Sequence, residues 1–330
     1  MKALYAIAFC LMLSCSSYGQ SCCSGGSGSP IAGGTSQGVL ADQQAEVSLS
    51  FQYMNTNKFF SGSTPVDNFL DNYTSTYLYG RAAYGITSKL TMSVESGYFF
   101  NRRQVALNKK DIVENHGIGD LIIFPRYSIY TRNTEKTRTE ATIGLGYKIP
   151  LGKHLDSSVV YTDANGKDYY TPMPPAVLPT TGSQDFIFYG FLYRGYPLKN
   201  FRVFTSLLYV KKGWNALGQR FGDYASIGLY AGKTFFNKLG LTLGLKGDWV
   251  DKMKYDQKIN MLAIYNLDVA STGGKRLLAV PQISYSYKGL SSYILTEIPL
   301  YQYVNGTAIG SQYSFTLGVA YRFFFKKQNG

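Results

Sequence analysis

This chain has no apolar run long enough to cross a membrane as a helix. A transmembrane helix needs about 20 predominantly apolar residues, and no such run follows Leu13. Histidine and tryptophan are scarce, with two copies each, whereas the chain has 29 tyrosines and 20 phenylalanines. The sequence therefore excludes a helical membrane protein.

The chain has few histidines and cysteines, so it offers few candidate residues for catalysis or metal binding. His116 and His154 lie in connecting segments, and neither begins the His-x-Ser-Asn-Gly signature of outer-membrane phospholipases. The segment with Asp163, Asn165 and Asp168 faintly resembles a calcium loop but lacks the distal bidentate glutamate. We expect no enzyme, no bound metal and no cofactor.

The N-terminus has the parts of a secretory signal peptide. Lys2 is followed by the apolar run Ala3–Leu13 and by small residues up to Gly19, which predicts a signal peptide over residues 1–19. The alternative is lipoprotein processing at Cys15, for which the preceding residues match poorly. Cleavage after Gly19 leaves two of the four cysteines.

Residues 20–44 form a segment rich in glycine and serine without periodicity. It predicts a flexible connection that precedes the first strand. Cys22 and Cys23 lie in it, and adjacent cysteines rarely bond to each other. With no further soft ligand nearby, we expect them to hold no metal.

The formal net charge of +13 raises the question of nucleic-acid binding. Lysine and arginine are, however, spread over predicted turns and strands instead of being concentrated in one patch. A secreted chain also rarely meets nucleic acid, so we expect no nucleic-acid partner.

Strict alternation of apolar and polar residues is the dominant pattern, and residues 239–249, LGLTLGLKGDW, show it most clearly. A period of two indicates a strand with one apolar face, and a strand crosses a bilayer with about 9–11 residues. The pattern predicts strands at about 45–54, 73–86, 90–100, 118–130, 138–149, 185–194, 201–211, 223–235, 239–250, 275–287, 291–303 and 312–325.

Short and long connections alternate between these strands. Bacterial outer-membrane barrels have short periplasmic turns, longer extracellular loops and an even number of strands. The predicted fold is therefore all-β: an antiparallel transmembrane β-barrel of the bacterial outer-membrane type with about 12 strands over residues 45–325. Residues 326–330 form a tail, both termini are expected to be periplasmic, and the outer membrane is the expected location.

The polar face of each strand is expected to point into the lumen, because a charge on the lipid face costs roughly 2–4 kcal/mol near the midplane. This assigns twelve charged residues to the lumen: Glu46, Arg81, Glu95, Asp120, Arg126, Glu140, Lys148, Arg194, Lys246, Asp248, Glu297 and Arg322. They form either a structural lattice of ion pairs or part of a permeation path. For Asp120, the nearest expected partners are Arg126 and Arg81.

The longest connection, residues 150–184, contains apolar anchors such as Tyr169 and Val177 and four prolines between 172 and 179. Prolines restrict the backbone, and loops of this length are uncommon unless they are functional or disordered. Two hypotheses follow: the loop folds into the mouth of the barrel and narrows it, or it packs on neighbouring loops outside.

The motif Gly117, Gly119 and Asp120, read HGIGDL from residue 116, opens an amphipathic strand after a long loop. With the Gly-rich mature N-terminus, it resembles the transporter-like family named for the MetA-pathway of phenol degradation. The resemblance implies an outer-membrane channel or transporter for small hydrophobic or aromatic solutes. The expected partners are outer-membrane lipids, the barrel-assembly machinery and a small-molecule solute. The alternative is a non-conducting barrel that serves as a surface-binding or assembly component.

Overall fold

The computed structural model describes residues 38–68, 70–106, 108, 111–258 and 268–324. The predicted signal peptide, Cys22, Cys23 and the predicted tail 326–330 lie outside the described residues. Within them, no helix is long and apolar enough to span a membrane. The short helices are 3-10 turns at Pro175–Val177, Pro197–Lys199 and Val269–Ser271.

Antiparallel strands dominate the described residues. They are β1 Gln44–Thr56, β2 Phe59–Ser61, β3 Thr64–Val66, β4 Leu70–Gly85, β5 Leu90–Ala106, β6 Ile112–Ile118, β7 Asp120–Asn133, β8 Arg138–Pro150, β9 Ser157–Thr162, β10 Asp168–Pro172, β11 Asp185–Tyr196, β12 Phe201–Lys211, β13 Gln219–Arg220, β14 Tyr224–Phe235, β15 Leu239–Val250, β16 Lys254–Tyr255, β17 Gly274–Tyr287, β18 Leu290–Val304, β19 Thr307–Ile309 and β20 Tyr313–Phe324.

Twelve of these strands close into one antiparallel barrel, which confirms the predicted fold. The ring runs β1-β4-β5-β7-β8-β11-β12-β14-β15-β17-β18-β20 and returns to β1, because β1 pairs with both β4 and β20. Closure satisfies the backbone groups of every barrel strand and leaves no exposed sheet edge.

The remaining strands belong to the long connections at one end of the barrel. β2, β3 and β19 form a small sheet, and β9 pairs with β10, as β13 does with β16. β7 pairs with the first part of β5, and β6 pairs with the remainder. β6 and β7 together therefore pair along most of β5. The segment 101–117, expected to be a loop, is therefore largely an extension of the sheet.

The side chains alternate between the outer wall and the interior as the sequence pattern requires. On β15, Leu243 is 65% exposed, whereas Lys246 is 8% exposed. The short turns at the other end, which we call the short-turn end, are tight. Asn200, Asn237 and Lys288 adopt positive φ there, which suits two- to four-residue reversals.

Candidate functional site: the barrel interior

The first group of charges lies inside the wall formed by β1, β4, β5 and β20. Glu46 accepts hydrogen bonds from Arg81 at 2.9 Å and Arg322 at 2.6 Å. Arg81 also contacts Glu95 at 3.2 Å, and Glu95 accepts from the Tyr79 hydroxyl. Arg81 faces Glu95 in the strand register, as Glu46 faces Arg322. Opposite charges at directly paired positions hold adjacent strands together.

A second group lies on β15, β17 and β18. Lys246 Nζ is 2.9 Å from Glu297 and 3.4 Å from Asp248, and Arg276 is 2.7 Å from Asp248. Tyr224 donates a hydrogen bond of 2.8 Å to the same aspartate. Each carboxylate therefore has a cation, which a buried charge requires.

A third group, which we call the latch, lies where β7, β8 and β11 meet the long loops. Lys148 Nζ is 3.1 Å from Asp120 and 2.9 Å from Asp185, and Lys212 Nζ is 3.0 Å from Asp185. The expected partners of Asp120, Arg126 and Arg81, are therefore wrong. Lys148 lies two positions before Pro150, which is the residue opposite Asp120, so the contact is a diagonal one.

Three further charges complete the set. Glu140 is buried and accepts hydrogen bonds from Arg138 and Thr142, each at 3.2 Å. Arg126 is buried, with its guanidinium carbon 5.9 Å from the centre of the Phe124 ring. The predicted position of Arg194 in the lumen is wrong, because its side chain is exposed on the outer wall.

The position of Arg194 has a simple cause. It shares a face of β11 with Leu192, which is 55% exposed, while the alternate residues Tyr189 and Phe191 are buried. Arg194 also lies two residues from the end of the strand. At that depth, a long side chain reaches the polar interface and costs little.

Residues 174–184 of the longest connection, which we call the plug loop, enter the mouth of the barrel. Val177 and Ser183 are fully buried. Tyr73 donates a hydrogen bond of 2.9 Å to the carbonyl of Ala176, and Arg102 donates to the carbonyl of Leu178. Of the two hypotheses for this connection, the structure agrees with insertion.

The latch holds the other half of the plug loop. Lys148 donates to Thr181 Oγ1 at 2.9 Å, and Thr180 donates to Asp120. Asn215, from the connection after β12, donates to the carbonyl of Thr181 at 2.9 Å. The same charges that stabilise the wall thus also fix the plug loop.

At the short-turn end, the residues before β1 lie against the interior. Val39 N–H donates to Glu140 at 3.2 Å, and Leu40 N–H donates to Thr91 at 2.8 Å. Leu40 is 3% exposed. A Cβ at Gly38 would overlap the Glu140 carboxylate, so a larger residue there would displace that side chain. Both ends of the lumen are therefore narrowed by non-barrel segments.

Between the two ends, aromatic rings follow one another along the inner wall of β7, β11, β12 and β14. The ring centres are 5.8 Å apart for Phe124 and Tyr189, 6.4 Å for Tyr189 and Phe191, 6.0 Å for Phe191 and Phe204, and 4.8 Å for Phe204 and Tyr230. We call these five residues the aromatic track. The spacings are those of favourable ring pairs.

Glycines on neighbouring strands give these rings room to lie flat. A Cβ at Gly244 would overlap the Tyr230 ring, and one at Gly146 would contact Phe124. The motif identified in the sequence acts similarly. Gly119 faces the Tyr77 ring and Phe99, which stack 4.2 Å apart, and Gly117 has a φ of 141°. The motif thus marks the bend between β6 and β7.

Several charged interior residues escaped the sequence analysis. Arg276 and Asp185 each lie two positions from a buried residue of the same strand. The alternation of inward and outward residues along the strand could therefore have placed both inside. Arg202, on β12, donates to Thr242 at 3.3 Å, but both faces of β12 are apolar elsewhere and its register was not readable. Arg102 lies in a segment expected to be a loop.

The candidate residues for catalysis or metal binding do not lie together in one site. His116 is exposed, and His154 packs near Gly182. Asp163 accepts hydrogen bonds from the N–H groups of Asn165 and Lys167, so its carboxylate closes a turn. Among the described residues, no three His, Cys, Asp or Glu side chains are grouped to hold a metal ion.

The barrel is similar to solved outer-membrane structures. An outer-membrane channel from Pseudomonas putida F1 superposes with a TM-score of 0.58 at 12% identity, covering 88% of this chain and 98% of the other. The translocator domain of the autotransporter NalP from Neisseria meningitidis gives 0.46 at 12% identity, covering 86% and 90%. The monoaromatic hydrocarbon channel TodX gives 0.38 at 10% identity, covering 87% and 91%. No family model and no curated protein sequence matches the chain.

Proposed function

We propose that this barrel is an outer-membrane channel for small hydrophobic or aromatic solutes, with its short-turn end in the periplasm. The aromatic track carries the proposal. Four of its five rings are buried against one another. Once the plug loop has moved, an aromatic face would supply apolar contact area and favourable ring stacking to a planar apolar solute. Such rings give a hydrated ion or sugar little to bind, so they favour apolar cargo.

The ion pairs are assigned a structural role. In the first two groups, the carboxylates contact cations of nearby strands. Charges neutralised in this way attract a charged solute less than a single-sign lining would. The solute is therefore proposed to follow the aromatic track instead of the charged side of the lumen.

The plug loop is proposed to control entry. It contacts the barrel through hydrogen bonds to its carbonyls and threonine side chains, such as those from Tyr73, Arg102 and Lys148, and through apolar packing of Val177. Such contacts can be broken without unfolding a barrel strand. We expect the loop to move when solute passes.

Swelling of liposomes that contain the refolded protein tests the proposal, with phenylalanine, an aromatic solute that the bilayer excludes, and a sugar of similar size as permeants. Replacing residues 174–184 with a short Gly-Ser segment should raise the flux of both permeants. In the matched control, the exposed β9–β10 hairpin tip, residues 161–169, is replaced by a turn while the plug loop stays; its flux should equal that of the unchanged protein. Equal flux in all three proteins would refute gating by the plug loop.

A second candidate is a non-conducting barrel that acts as a surface-binding or assembly component. The narrowing of both lumen ends favours it. Single-channel recordings in planar bilayers separate the two candidates. A silent barrel, both intact and without its plug loop, would replace the channel with this alternative.

A further inference from the structure

We propose that the outer wall binds one anionic phospholipid, with an acyl chain in a lateral groove and its phosphate on Arg194. The inference rests on the membrane-barrel fold and not on transport through the lumen. Three observations carry it: the shape of the wall, the exposed arginine at one end of the groove, and the charge of the short-turn end.

The groove has a volume of about 830 Å³ and crosses the outer faces of β8, β11, β12, β14, β15 and β17. Residues such as Leu192, Leu229 and Leu243 line it. The residues between the outward positions, such as Tyr193 and Tyr230, face the interior, so their main chain forms the floor. The groove is therefore a depression of the lipid-facing wall and not part of the lumen.

Small outward side chains explain the depression. Four of the six strands that the groove crosses contribute one each: Ala141 on β8, Thr205 on β12, Ala231 on β14 and Ala279 on β17. The neighbouring outward positions on the same strands carry larger side chains, which are Ile143, Leu207, Leu229 and Leu277. An acyl chain in the depression would make van der Waals contacts that a flat wall does not offer.

Arg194 supplies the polar end of the site. It lines the groove, and its guanidinium carbon is 5.8 Å from the centre of the Tyr196 ring. Its register neighbours are Thr139 and Val203, so no carboxylate lies directly opposite on either adjacent strand. A guanidinium binds phosphate in a bidentate geometry, and Arg is suited to this at an interface.

The whole short-turn end is basic. Each of its five turns contains one exposed lysine, and the acidic residue among them is Glu135; the lysines are Lys89, Lys136, Lys199, Lys238 and Lys288. Lys238 and Lys288 lie 4.9 and 5.3 Å from the Tyr287 ring centre, so the cations are held at the aromatic interface. A basic rim attracts anionic headgroups.

These observations favour a phospholipid over other occupants. An apolar solute would fill the groove but would leave Arg194 without a phosphate. Lipopolysaccharide belongs to the outer leaflet, at the long-loop end in the proposed orientation. An anionic phospholipid satisfies the groove, the arginine and the rim together.

Native mass spectrometry of the purified full chain provides the test, with phosphatidylglycerol, phosphatidylcholine and lipopolysaccharide as probes. Arg194→Gln removes the phosphate contact, and Ala231→Trp fills the groove. The matched controls are Lys252→Gln, an exposed lysine of the long connection after β15 and outside the basic rim, and Ala82→Trp, an exposed outward alanine of β4. Heat-modifiable gel mobility reports whether each variant has folded.

The unchanged protein should retain one phosphatidylglycerol with about a fivefold preference over phosphatidylcholine, as expected for one cation near an anionic headgroup. Arg194→Gln should abolish the preference and Ala231→Trp should abolish retention, while both controls behave like the unchanged protein. Three results would each overturn the proposal: no preference in the unchanged protein, a preference for lipopolysaccharide, or equal losses in the variants and their controls. Because Arg194→Gln changes only an exposed side chain, it keeps the test decisive if Ala231→Trp fails to fold.

Discussion

Lys148→Met is expected to loosen the plug loop and to destabilise the barrel together. Lys148 Nζ lies within 3.1 Å of Asp120, Asp185 and the Thr181 hydroxyl. Removing one partner of a buried ion pair typically costs 3–5 kcal/mol, because a charge is left uncompensated. Asp185 keeps Lys212 at 3.0 Å, so we expect a value near the lower end, about 3 kcal/mol.

Two assays on the refolded protein measure the two effects. Urea titration in vesicles gives the change in the free energy of unfolding, and bilayer recordings give the conductance. Thr181 loses one anchor in Lys148→Met, so the conductance should rise toward that of the protein without its plug loop.

The double variant Lys148→Met with Asp120→Asn is the control for the ion pair. It removes the uncompensated carboxylate, so it should be more stable than the sum of the two single changes predicts, by about 1 kcal/mol or more. Simple additivity would refute the latch as an energetic unit. Loss of stability without any rise in conductance would show that the latch stabilises the barrel but does not hold the plug loop in place.

Three other changes test the wall and the loops. Gly244→Ala should displace the Tyr230 ring and lower stability by about 1–3 kcal/mol, whereas Gly247→Ala, whose Cβ would make only ordinary contacts, should be tolerated in the same urea titration. Burial raises the pKa of Asp223, but hydrogen bonds from basic side chains and a backbone N–H outweigh it and set the pKa at about 2. Its contribution, up to roughly 2 kcal/mol, should be present above about pH 4 and lost as the pH falls toward 2, and Asp223→Asn should flatten that part of the stability–pH profile. Leu243→Arg places a charge on the lipid face and should cost about 2–4 kcal/mol; an unchanged unfolding midpoint would contradict the assigned face.

The strands were predictable because one physical constraint fixes them. Each barrel strand has one face toward lipid, so its alternation is strict; β15 was expected at 239–250 and is Leu239–Val250. Where that constraint is absent, the prediction failed. β6 and the β9–β10 hairpin lie in the long connections, where no lipid face imposes a pattern.

Charge was a less reliable guide than alternation. Arg194 was assigned to the lumen because it is charged, although its neighbour Leu192 shares its face. The energetic penalty for a charge on the lipid face falls toward the membrane interface. Near the end of a strand, the alternation of inward and outward residues is therefore a better guide to a side chain's direction than its charge. Arg276 could have been assigned correctly by the same alternation, because it lies two positions from the buried Leu278 and therefore points inside.

The plug loop marks the limit of what the sequence can show. Its prolines and apolar residues indicated a constrained segment, but its anchors Tyr73 and Arg102 precede the residues they contact by 103 and 76 positions. Both anchors donate to backbone carbonyls, which every residue carries, so the plug loop needs no distinctive side chain to accept them. The position of this half of the plug loop therefore depends on barrel residues that its own sequence does not reveal, whereas the other half is also held through the side chains of Thr180 and Thr181.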